Sequence, residues 1–73
     1  MPKIGHFSGP QVCRILEQHG FNKVRQRGSH AVMQKNDNGS TVTVPVPMHR
    51  EIRLGTLLSI IRQSNVSHTA FEV

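Results

Sequence analysis

Val42, Val44 and Val46 alternate with Thr41, Thr43 and Pro45, directly after the run Asn36-Asp37-Asn38-Gly39-Ser40. A two-residue period in β-branched side chains describes a strand that buries one face. The Asn-Gly pair supplies the positive φ angles that a tight hairpin demands. The expectation is a hairpin with His30 to Lys35 as one strand, residues 36–40 as the loop and Thr41 to Val46 as the other strand. Pro45 has no amide hydrogen, which confines it to a strand end or a sheet edge. A lone hairpin is at best marginally stable in water, so this one needs further strands and a cover.

Both are legible. Asn22 to Arg27 reads as a short strand with Lys23, Arg25 and Arg27 on one face and Val24 on the other, joined to the next strand by a Gly28-Ser29 turn. A helix precedes it. Ser8 is its N-cap, Gln11 completes a capping box, and Phe7 and Val12 can form a hydrophobic staple. Pro10 falls in the first turn, where no amide hydrogen is needed. Val12, Ile15, Leu16 and His19 form one face with Cys13 beside it, and Gly20 ends the helix with Phe21 folding back on Leu16. Residues 46–53 connect the last strand to a second helix, which begins at Leu54 or Gly55 and runs to Ser64. Its apolar face is Leu57, Leu58, Ile60 and Ile61. Arg62 suits its last turn, Asn65 can end it, and Ser67 can cap a short final turn ending near Phe71.

The predicted fold is α+β, in the order α-β-β-β-α, with a three-stranded antiparallel sheet covered on one face by two helices. A length of 73 residues allows a single domain, 1–73, with a modest core. Nine Lys and Arg against four Asp and Glu leave a net charge of +5, and no acid lies between Gln18 and Asn36. That imbalance points to an anionic partner, nucleic acid or acidic protein; the plain alternative is a basic, solvated face. The absence of Trp and Tyr, with three Phe, argues against a recognition surface of stacked aromatics. Cys13 has no partner for an intramolecular disulfide and reads as a packed thiol. There is no signal-like start and no membrane-length apolar run, so a cytoplasmic location is expected, and the two glycosylation-type sequons, at Asn38 and Asn65, are discounted. The five histidines and four acids are scattered without ligand spacing, so no metal site and no cofactor are expected.

The chemistry concentrates in Lys23-Val24-Arg25-Gln26-Arg27-Gly28-Ser29-His30. Histidine exchanges protons near neutral pH, and here it stands beside cations able to hold phosphate. A proton-transfer group next to an anion clamp is the minimum needed to cut RNA, which carries its own 2′-hydroxyl nucleophile. Alternation places His30 with Val32 and Gln34, and Ala31 with Met33. If Ala31 and Met33 lie under the helices, His30 emerges on the open face. If Val32 is the core residue, His30 points inward.

Ser8-Gly9, Gly20-Phe21, Arg25 through His30, Thr43-Val44-Pro45 with His49, and Gly55-Thr56-Leu57 followed by Ile60-Ile61-Arg62-Gln63 resemble, in order, the HicA family of toxin mRNA interferases. The resemblance spans nearly the whole chain. It implies a fold like a double-stranded-RNA-binding domain, metal-independent cleavage of mRNA that blocks translation, and a HicB-type antitoxin that masks the site. The family's catalytic histidine maps onto His30. Its Pro-Val-His appears as Pro45-Val46-Pro47-Met48-His49, two residues longer, so His49 is the less firmly placed of the two.

On this reading His30 is the general base, and His49 is the candidate for a second catalytic group. Lys23, Arg25, Arg27, Ser29 and Lys35 are the candidates to bind RNA phosphate. Each has a plainer alternative: a structural His30 bonded to backbone, a solvated loop His49, a solvated strand face, and turn chemistry for Ser29. The competing function is a non-catalytic RNA-binding domain that uses the same basic face.

Overall fold

Both oxygens that the first helix needs are in place. In this computed structural model, α1 spans Gly9–Gln18, and Ser8 Oγ accepts the Gln11 amide while Gln11 Oε1 accepts the Ser8 amide. At the other end the Phe21 amide donates to the Leu16 carbonyl and the Gly20 amide to that of Glu17. This is a Schellman closure, and Gly20 takes the φ of +95° that it requires. His19 is the C-cap and is exposed, so the expected apolar face is narrower: Val12 and Leu16 are buried, and Ile15 and Cys13 half-buried. The structure describes residues 4–72; the ends of the expected 1–73 domain, positions 1–3 and 73, lie outside the described residues.

The sheet is antiparallel in the order β1-β2-β3, with β1 Asn22–Arg27, β2 His30–Asp37 and β3 Ser40–Pro47. The second hairpin is tighter than the sequence suggests. Asp37 pairs with Ser40, leaving a two-residue Asn38-Gly39 turn with φ of 51° and 86°. Two successive positive φ angles match the right-handed twist of the flanking strands, so the ladder runs to the turn. At the first hairpin only Gly28 has positive φ, 58°. Both proline positions of β3 fall on an edge strand.

Ala31 pairs with Val46 and Met33 with Val44, and all four side chains are fully buried. They form the covered face. α2, Leu54–Ser64, contributes Leu57, Ile60 and Ile61. Leu58, expected in that face, is instead 37% exposed, and Leu54 58%. The core is completed by Ile52, Val66 and Phe71, which helical periodicity does not reach. Phe71 closes a 3₁₀ turn, His68–Phe71, capped by Ser67, and meets Phe7 edge-on at 5.8 Å between ring centres. α2 ends at Asn65, whose φ of 60° is left-handed. The fold is thus the α-β-β-β-α arrangement of a double-stranded-RNA-binding domain. Among the described residues no helix is long and apolar enough to cross a membrane.

One strand departs from simple alternation. Lys23 pairs with Met33 but Arg25 pairs with Val32, so Val24 is bulged out and 47% exposed. A bulge adds one residue to one strand and reverses the faces beyond it. Lys23 therefore shares the helix-covered side with Met33 and bonds Gln26 Oε1 at 3.3 Å. Lys35 lies on that side too, its Nζ 5.9 Å from the centre of the Phe21 ring.

Candidate active site

Because Ala31 and Met33 go under the helices, His30 goes to the open face and is exposed. Cross-strand partners point the same way, so the open face is built in rows. Arg27, His30 and Pro47 form one row across the three strands, and Arg25, Val32 and Pro45 the next. Gln34 and Thr43 follow, joined by a 3.3 Å hydrogen bond from Gln34 Nε2 to Thr43 Oγ1. Regular pairing from Arg25 to Arg27 keeps both arginines in step with His30, and the bulge at Val24 takes Lys23 off that face. Of the expected phosphate-binding set, Arg25 and Arg27 join His30, whereas Lys23 and Lys35 are carried to the other side of the sheet. Ser29 stays in the β1–β2 turn, where its carbonyl accepts the Met48 amide at 2.6 Å.

That bond lengthens the β2–β3 ladder past His30 and fixes the start of the connector. The Gly9 amide then takes the His49 carbonyl at 2.9 Å, and the Ile52 amide takes the Phe7 carbonyl at 2.9 Å. Gly9 allows this close approach: a Cβ there would meet the Pro47 carbonyl oxygen and come within 2.6 Å of Met48 Cα. The start of α1 thereby holds the backbone that carries His49.

Two shallow cavities meet at His30, and a third adjoins one of them through Pro45. One, of ≈ 320 Å³, lies between His30, Pro45 and the side of α2 that shows Gly55, Thr56, Ser59 and Gln63. A second, of ≈ 270 Å³, brings His30 together with His49, Glu51, Arg53 and Thr56. A third, of ≈ 310 Å³, runs over Arg25, Arg27, Val32, Gln34, Thr43 and Pro45. Pro45 lines both the third and the first, so the groove continues from the arginine pair to His30 and on to α2. Each volume is near the lower bound for a small-molecule site, about 300 Å³. A chain of open, linked depressions suits an extended polymer better than one enclosed ligand.

The site's charge is mostly positive. Arg25, Arg27 and Arg53 line the groove, and its acid, Glu51, is engaged by His6 Nδ1 at 3.2 Å. Both His30 and His49 are exposed, so each imidazole can exchange protons with a bound molecule. His49, whose reach to His30 the sequence leaves open, lines one cavity with it. Thr56, Glu51 and Arg53 were not expected there. Thr56 had one signal, its place in the Gly55-Thr56 start of α2; Arg53 is the N-cap of that helix without a side-chain cap bond. Among the described residues no three His, Cys, Asp or Glu side chains come together as a metal site.

Cys13 lies outside the groove. It is half-buried beneath Met48, with Sγ 4.0 Å from the thioether sulfur. Burial pushes its thiol pKa up, Glu17 adds to that, and Lys23 partly offsets it. Such a thiol is a packing group rather than a nucleophile.

A family model described as the HicA toxin of bacterial toxin-antitoxin systems covers residues 9–66, which includes every element from α1 to the end of α2. No curated protein and no solved structure matches the chain.

Proposed function

The chain belongs to the HicA toxin family, and from that membership we propose that it is an endoribonuclease whose proton-transfer group is His30. The observation that supports this best is the row Arg27–His30–Pro47 on the open face: an exposed imidazole directly opposite a guanidinium, in a groove with a second histidine. Phosphate held by Arg25 and Arg27 would set the RNA backbone across His30, neutralising charge without reading sequence. His30 takes the proton from the 2′-hydroxyl as the 2′-oxygen bonds to phosphorus. The bond from phosphorus to the 5′-oxygen breaks, and that oxygen receives a proton from the His49 imidazolium or from water. The products are a 2′,3′-cyclic phosphate and a 5′-hydroxyl. No step calls for a metal ion.

In-line attack needs a backbone that can rotate, so single-stranded or locally open mRNA is the substrate. The partner is an antitoxin of the HicB type, acidic where it covers the arginine pair and His30. Lys23 and Lys35 remain candidates for contacts of that partner, away from the RNA-bearing face.

The test in cells is induction of the wild-type chain beside His30→Ala, with and without a co-expressed antitoxin. Growth arrest by the wild type alone, relieved by either change, is the expected pattern. Ready growth with wild-type protein accumulating would support the RNA-binding alternative.

A further inference from the structure

We propose that Thr56 is a further group of this reaction, its hydroxyl donating a hydrogen bond to a non-bridging oxygen of the phosphate on which His30 acts. The inference rests on the nuclease reading above. The two cavities flanking His30 share three lining residues: His30, Pro47 and Thr56. Pro47 is buried and its side chain has no polar atom. The boundary shared by the cavities therefore offers two side chains able to touch a phosphate through polar atoms, and they come from different elements, His30 from β2 and Thr56 from α2.

The other polar groups nearby are less suited. Ser59 Oγ already accepts a hydrogen bond from Arg62 Nη2 at 3.3 Å and lines one cavity only. Gln63 also lines that cavity alone, and the Glu51 carboxylate would repel a phosphate. Thr56 is exposed, and among the described residues no hydrogen bond engages its hydroxyl. A free donor lining the same cavities as an imidazole base is placed to meet charge as it grows on the phosphoryl oxygens, where a fixed hydrogen bond is worth more than in the ground state. The hydroxyl keeps its proton; it stabilises and orients while His30 carries the transfer.

The experiment is cleavage of a labelled single-stranded RNA at saturating and limiting concentrations by wild type, Thr56→Val, Thr56→Ser and His30→Ala, with thermal melts of each. Valine keeps the shape and removes the donor. Loss of one such donor elsewhere costs about 10²–10³ in kcat; at this open boundary the expected fall for valine is roughly tenfold to a hundredfold in kcat, with KM moved less and the melting temperature unchanged. Serine restores the donor and should cut at close to the wild-type rate. Wild-type activity in Thr56→Val overturns the inference alone, as does a serine variant as impaired as the valine one. Wild-type protein that does not cut overturns this inference and the nuclease reading together.

Discussion

Gly9→Ala should destabilise the domain, although helix propensity says the reverse. Gly9 opens α1 without a positive φ, and alanine is intrinsically better than glycine in a helix by up to about 1 kcal/mol. The surroundings decide against it. A Cβ at this position would fall on the Pro47 carbonyl oxygen, 2.6 Å from Met48 Cα and 3.1 Å from Met48 Sδ. The thioether can turn aside; the two backbone atoms cannot. α1 must then withdraw from the end of β3, stretching the 2.9 Å bond from the Gly9 amide to the His49 carbonyl. Overpacking of this kind costs about 1–3 kcal/mol, and a weakened hydrogen bond adds about 1 kcal/mol. The propensity gain offsets about the latter, leaving a net loss of about 2 kcal/mol. For a domain of this size that is roughly 8–16 °C in melting temperature. The assay is far-UV circular dichroism on heating, with both proteins made in a His30→Ala background so that expression is not limited by toxicity. A Gly9→Ala protein that melts at or above its parent would refute the reasoning.

Three more outcomes follow from the same geometry. Arg25→Ala and Arg27→Ala should each weaken RNA binding and flatten its log–log salt dependence by about 0.7, while Lys23→Ala, on the far side of the sheet, leaves that slope nearly unchanged; filter binding over a salt series reads all three. Gly28→Ala meets no atom within 4 Å, so its cost is backbone strain alone at φ +58°, about 1–2 kcal/mol and readable as a lower urea midpoint with an unchanged m-value. Burial raises the Cys13 pKa, so folding favours the protonated thiol: the stability it contributes is complete below the unfolded thiol's pKa and is lost as pH rises through the higher folded value. Alkylation by iodoacetamide under mildly alkaline conditions should accordingly be slower in native protein than in urea, and equal rates would contradict the burial argument.

Where the sequence spoke clearly, the signals were local. The Ser8–Gln11 box, the Gly20-Phe21 closure, the Asn38-Gly39 turn and the Asn65 stop each depend on a few adjacent residues, and each stands as expected. What depended on partners was harder to see. The bulge at Val24 is a property of the β1–β2 pairing, and it moved Lys23 away from Arg25 and Arg27. Lys35 follows Met33 in the alternation, but its distance from His30's face appears only once the covered side is known. Leu58 fits the helical stripe by spacing yet stays exposed, and Val66 and Phe71 enter the core from a segment with no periodicity. The face of His30 stood open between two readings until Ala31 and Met33 proved to be the buried pair. The grouping of His30, His49 and Thr56 joins residues from a strand, a connector and a helix. No spacing rule encodes it.

The most direct test of the central claim is cleavage of a labelled single-stranded RNA by purified protein in EDTA, wild type beside His30→Ala, with a matching substrate carrying 2′-O-methyl groups. Cutting by the wild type alone, abolished by methylation of the 2′-oxygen, is the predicted result. Undiminished cutting by His30→Ala would contradict the assignment, and binding without cutting by either protein would make this open, arginine-lined face an RNA-binding surface instead.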